Sequence, residues 1–131
     1  MKRYLALASI IAVGLAGSAA AKVDIVPSLD IAPSSALVHG GHVEFDAVYG
    51  DTKPFERVYV TVVCTQDTVV YQWSADPAFS FPLVQQDGLA ALGYVIDTSR
   101  PMVCEAWLIE RVEHGPNVEM TTLDIAGFEV V

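Results

Sequence analysis

Beyond residue 22 the apolar positions of the chain recur every second residue, in short runs separated by turn formers. The clearest run is His42 to Tyr49. Val43, Phe45, Ala47 and Tyr49 fall on one face, and His42, Glu44 and Asp46 on the other. A period of two is that of a strand buried on one side. Gly50-Asp51-Thr52-Lys53-Pro54 ends it. Val58 to Thr65 repeats the pattern, with Val58, Val60, Val62 and Cys64 together. Gln66-Asp67-Thr68 then leads into Val69 to Trp73, and two β-rich runs joined so briefly predict a hairpin. Met102 to Arg111 alternates again. Met102, Cys104, Ala106 and Leu108 form its inner face, and Val103, Glu105, Trp107, Ile109 and Arg111 its outer one.

Other runs are less regular. Val23 to Ile31 is broken by Pro27, which suits an edge strand. Phe79 to Val84 contains Pro82, and Leu89 to Ile96 fits a helical turn or a strand equally. In Val118 to Val131, Leu123 and Ile125 share one phase and Phe128 and Val130 the other. The slip is placed at Ala126-Gly127, where a bulge adds one residue. No stretch holds a helical period. The pattern predicts an all-β fold, a single antiparallel sandwich of about seven strands.

Composition locates the domain. The first four residues are a short basic start, Leu5 to Gly17 is apolar and uncharged, and Ser18-Ala19-Ala20-Ala21 supplies small side chains. That order predicts a signal peptide over 1–21, removed on export, with 22–131 as one domain. The competing reading is an uncleaved anchor, since Tyr4 to Ala21 spans 18 residues, the lower limit for a helix that crosses a bilayer. No Cys follows the apolar stretch and no second Arg follows Arg3, so neither a lipoprotein nor a twin-arginine route is indicated. The expected location is therefore secreted, periplasmic or cell-surface. Apolar residues make up 53% of the chain and charged ones 18%, which argues for a packed core over disorder.

Charge narrows the partners. Sixteen acids face seven bases, for a net −9; two of the bases, Lys2 and Arg3, leave with the leader, so the exported domain stands at −11. A domain that acidic, with no basic run, is a poor match for nucleic acid or for an anionic membrane surface. Another protein, of basic character, is the expected partner. Cys64 and Cys104 make an even pair in an oxidising compartment, which favours one disulfide over two buried thiols. Such a bridge closes 40 residues of sequence and contributes about 4 kcal/mol by chain entropy.

Catalytic motifs are scarce. His39-Gly-Gly-His42, with Glu44 or Asp46 near it, is the one paired-histidine motif. A Gly-Gly spacer does not fix two rings on one side, and a solvated loop entering a strand accounts for it. Glu44 and Asp46 share a face about 7 Å apart by strand geometry, and a charged outer face explains them better than an acid–base pair. His114 lies in a Gly-Pro turn. Cys64 stands on an apolar face, unsuited to a reactive thiolate. There is no Gly-x-Ser-x-Gly, no phosphate loop and no His-Glu-x-x-His. No catalytic residue, metal ligand or cofactor is expected.

The segments YVTVVCTQDTVVYQW and PMVCEAWLIE resemble an immunoglobulin-like sandwich, and more narrowly small Ig-like domains of exported or phage-encoded bacterial proteins. Phe128-Glu129-Val130 suits the last strand of such a domain. The resemblance spans about Val23 to Val131 and implies a fold without catalytic residues. Trp73 falls between the two cysteines, as a core Trp does in antibody-type domains. Cys64, however, sits on the third strand by count, and Met102 stands where such domains have a Tyr. A bridge across the core and a bridge between adjacent strands both remain open.

Trp107 is the residue that most invites a function. If Cys104, Ala106 and Leu108 face inward, Val103, Trp107 and Ile109 form an outward stripe, a candidate contact surface. The expected function is an exported, non-enzymatic binding module. The alternatives are an acidic inhibitor of a basic enzyme and a structural subunit of a virion or surface layer, pairing through Val130-Val131. A metal-dependent enzyme is the remaining option.

Overall fold

The computed structural model describes residues 25–131. The predicted signal peptide, 1–21, lies outside the described residues. Among the described residues the chain is all-β apart from one short helix. Its strands are β1 (Ser28–Ile31), β2 (His42–Val43), β3 (Phe45–Val48), β4 (Glu56–Gln66), β5 (Thr68–Ala75), β6 (Phe81–Pro82), β7 (Met102–His114) and β8 (Asn117–Val130), with α1 (Asp87–Ala91) between β6 and β7. All pairings are antiparallel. A four-stranded sheet runs β5-β4-β7-β8, and two ribbons, β1-β3 and β2-β6, stand apart from it.

One core joins the three sheets. Val60, Val62 and Cys64 of β4, Met102, Cys104, Ala106 and Leu108 of β7, and Val130 of β8 are buried against Leu29, Val43, Phe45 and Phe81 of the ribbons. Aromatic rings carry the contact between the layers. Phe45 meets Phe81 edge-on at 5.7 Å and Phe128 at 6.2 Å; Phe79 meets Phe81 at 5.0 Å and Trp73 at 5.6 Å. The three phenylalanine pairs are edge-to-face, and pairs of this kind add about 0.5–1.5 kcal/mol each beyond the area they bury. The Tyr71 hydroxyl, buried among them, donates to the Pro82 carbonyl at 2.8 Å, and burial pushes its pKa well above the ordinary tyrosine value.

The long strands follow the alternation. The run from His42 to Tyr49 does not form one strand. β2 pairs with β6, whereas β3 pairs with β1. The change of partner falls at Glu44, whose N–H donates to the Ser35 hydroxyl at 2.8 Å and whose carbonyl accepts from Ala32 N–H at 2.8 Å. The preceding loop needs its glycines. Gly40 has φ +87°, and a Cβ on Gly41 would stand 2.2 Å from the Ala36 carbonyl oxygen.

Two bulges correct the expected phases. In β8 the extra residue is Leu123, between Thr122 opposite Ile109 and Asp124 opposite Leu108. The slip therefore comes before Ile125, not at Ala126-Gly127, so Ile125 points outward while Ala126 and Val130 are buried. In β5 the extra residue is Val70, between Val69 opposite Thr65 and Tyr71 opposite Cys64. Val70 and Tyr71 are consequently both buried although adjacent. The segment Leu89 to Ile96 resolves as the end of α1 followed by non-regular chain.

Cys64 and Cys104 form a disulfide. They are direct partners on neighbouring strands, β4 and β7, so the bridge lies within one sheet and does not cross the core.

Glutamine side chains replace a ladder in the connection from β6 to β7. Gln66 accepts from Asp97 N–H at 2.8 Å and donates to the Asp97 and Arg100 carbonyls at 2.8 and 3.0 Å. Gln85 accepts from Ile96 N–H at 2.7 Å and donates to the Tyr94 carbonyl at 3.1 Å. Gln86 holds both backbone groups of Gln72 on the outer edge of β5, accepting at 2.9 Å and donating at 2.8 Å. A primary amide has the donor and acceptor that a neighbouring strand would present, so Gln86 occupies part of an edge that would otherwise template pairing.

Two outcomes follow. Replacing both cysteines with Ala lowers stability by about 2–5 kcal/mol in urea unfolding, the usual cost of losing a native bridge. Gln86→Ala costs about 0.5–1.5 kcal/mol, and hydrogen exchange reads it locally as faster exchange of the Gln72 amide with little change at Val62.

Candidate functional site

The outer face of the four-stranded sheet is set by register. Thr61 stands between Ser74 and Trp107, and Trp107 faces Ile125. In the next row Val63 stands between Gln72 and Glu105, and Glu105 faces Gly127, which contributes no side chain. In the third, Thr65 meets Val103, which faces Glu129. These residues are out of phase with the buried Val62, Cys64, Ala106 and Leu108, so they look away from the core.

Three apolar side chains in these rows are open to solvent: Val103 at 60% exposure, Trp107 at 37% and Ile125 at 48%. The structure thus places the predicted Val103 and Trp107 outward on β7. Ile109 shares their face but is half-buried, beside Tyr59 and Thr122 in register. Ile125, directly opposite Trp107, was not legible because the bulge at Leu123 reverses its phase. The Trp107 indole N–H donates to Glu105 at 3.1 Å, which ties the ring to the neighbouring carboxylate along the strand. An aromatic with a polar edge already oriented, flanked by aliphatic side chains, is the kind of group that anchors protein interfaces.

The histidines do not come together. His39 Nε2 lies 2.6 Å from the Arg100 carbonyl, and since a carbonyl only accepts, that nitrogen carries the proton. His42 turns to Glu44, at 4.0 Å. Hydrogen bonds from Ser34 and then Ser80 hold the Glu44 carboxyl below the ordinary range. Asp46 is exposed on β3 and His114 lies 3.5 Å from Glu119 at the β7–β8 hairpin. Among the described residues no group of three or more His, Cys, Asp or Glu side chains is placed to hold a metal ion. Cys64 is consumed by the disulfide.

Val131, part of the end through which a structural subunit would pair with a neighbour, already has partners. Its N–H donates to Leu37 at 3.2 Å and its carbonyl accepts from His39 N–H at 3.0 Å. No helix among the described residues is long and apolar enough to cross a membrane.

Comparison of the chain with protein-family models, with curated proteins and with solved structures finds no match in any of the three.

The geometry separates the two tryptophans. Trp73 packs against the core and Trp107 does not. In a Trp73→Phe variant the remaining emission from Trp107 is red-shifted and strongly quenched by acrylamide. In Trp107→Phe the emission from Trp73 is bluer and quenched several-fold less.

Proposed function

We propose that the protein is an exported, non-enzymatic binding module, an Ig-like sandwich that takes a basic protein partner on the outer face of its four-stranded sheet. The observation that carries this reading is the exposure of Val103, Trp107 and Ile125 on one face of the sheet. Apolar side chains left open to water raise the free energy of the isolated domain, and a partner that covers them lowers it again.

Charge selects the partner. Glu105 stands between Val103 and Trp107 along β7, and Glu129 stands opposite Val103 on β8. An apolar centre beside carboxylates suits a surface with an aliphatic or aromatic knob and nearby Lys or Arg. The net charge of −9, or −11 without the leader, accelerates encounter with a cationic protein over a distance set by salt. Inhibition of a basic enzyme is one form of the same binding. The disulfide supports export, because such bonds persist in oxidising compartments.

The test is affinity capture from the native secretome or envelope, with wild-type protein and Trp107→Ala in parallel. Wild type retains a protein of high isoelectric point and releases it as salt is raised. Trp107→Ala weakens that complex by about 30-fold or more, the scale of an interface hot spot, with unchanged thermal unfolding. Equal capture by the two, or retention only of acidic proteins, refutes the reading.

A further inference from the structure

β5 stops short of the strand it pairs with. It ends at Ala75, opposite Val60, whereas β4 begins at Glu56. Past Ala75 the chain turns away, and Phe79 N–H donates to the Asp76 carbonyl at 2.9 Å. The backbone phase of β4 determines what this leaves open. Glu113 N–H donates to the Phe55 carbonyl at 3.2 Å. Bonding alternates residue by residue in an antiparallel ladder, so the odd positions 57, 59, 61 and 63 also bond to β7 and the even ones point toward β5. The Cys64–Cys104 pair agrees, since its Cα separation of 4.0 Å is the close spacing of partners that share no hydrogen bond. The Gln72 groups held by Gln86 agree as well, since they point to the far side of β5. Val58 is therefore an even position beyond the end of β5. Its N–H and C=O have no backbone partner among the described residues.

A cavity of about 700 Å³ opens at this place, lined by Val58 together with Arg57, Tyr59, Ser74, Asp76 and Arg111. Arg57 and Arg111 stand directly opposite each other on β4 and β7. Outward partners in such a pair have Cβ atoms about 5 Å apart, and like charges so placed repel. The described residues hold only four Lys and Arg side chains, Lys53, Arg57, Arg100 and Arg111, and half of them meet here in an acidic chain. Arg111 is paired with Glu113, while Arg57 has no ion pair among the described residues. Asp76, the acid at the rim, accepts from Ala78 N–H at 2.8 Å.

We propose that this notch binds a short extended peptide bearing a carboxylate. The peptide continues the line of β5, exchanging backbone hydrogen bonds with Val58, and its carboxylate takes the Arg57 guanidinium. Strand addition supplies the backbone bonds, and the planar guanidinium supplies paired N–H donors matched to two carboxylate oxygens. The Arg57–Arg111 repulsion falls when the anion arrives. This site is separate from the Trp107 surface and stands whether or not a basic protein binds there.

The test uses the oxidised, 15N-labelled protein and three peptides: acetyl-Thr-Val-Thr-Val with a free C-terminus, the same peptide amidated, and acetyl-Thr-Val-Glu-Val amide. The Val58 amide resonance shifts on titration with a peptide that carries a carboxylate and not with the neutral one. A response to the free acid alone assigns a chain terminus as the natural ligand, and a response to the Glu peptide alone assigns an acidic side chain. Arg57→Gln, at an exposed position, leaves the spectrum folded and weakens binding tenfold or more, whereas Trp107→Ala leaves binding in place. The proposal is overturned if neither carboxylated peptide moves the Val58 amide, if the neutral peptide binds equally well, or if Arg57→Gln binds like wild type.

Discussion

The pairing of β4 with β7 decides what faces inward and what faces out. Ten consecutive partners, from Glu56 with Val112 to Thr65 with Val103, run without a shift. The disulfide joins one of those pairs covalently. A slip of β7 by one residue against β4 would carry Cys104, Ala106 and Leu108 to solvent and draw Glu105 and Trp107 into the core. The bridge forbids that slip, because only one register puts the two sulfurs on the same face and opposite each other. β5 and β8 then attach on either side of this pair, each absorbing a single extra residue, Val70 in one and Leu123 in the other. The bulges fall on the outer strands, and the central pair stays regular.

The second layer depends on the first for its burial. A two-stranded ribbon is marginal alone in water. β1-β3 and β2-β6 persist because Leu29, Val43, Phe45 and Phe81 find the sheet's inner face, with the Phe45–Phe81–Phe79–Trp73 contacts linking ribbon to ribbon and back to β5. Polar groups close the gaps that the ladder leaves. Asp124 accepts from Leu29 N–H at 2.7 Å, holding β1 to β8, and the three glutamines fix the long connection to β7.

Much of this was legible in the chain because side-chain alternation is local. Val58 to Cys64 and Met102 to Leu108 announce their faces without knowledge of their partners, and Trp107 was placed outward on that basis alone. What alternation does not carry is the identity of the partner. His42 to Tyr49 keeps one period across Glu44, yet the strand on its flank changes there from β6 to β1. Bulges are hidden for the same reason. An extra residue opposite Leu108 and Ile109 is a fact about two strands, and β8 alone shows only that a phase changes somewhere between Leu123 and Phe128. Ile125 was missed as a surface residue through that one ambiguity. The glutamine contacts were hidden too, because Gln66 and Asp97 are 31 residues apart and an amide in a loop has no periodic signature.

Natural sheets guard their edges, since an unpaired strand invites another. Here the guarding is selective. Gln86 saturates the backbone of Gln72 on β5, and the Leu37–His39 loop saturates Val131 just past β8. The same chain leaves Val103, Trp107 and Ile125 exposed on the outer face, and it sets two arginines side by side where β5 ends. Exposed Trp107 and opposed Arg57 and Arg111 each raise the free energy of the isolated domain. A sequence that closes one strand edge with a single amide has the means to bury or neutralise these groups as well. A partner on the outer face would lower both contributions, which is the physical support for the binding proposed above.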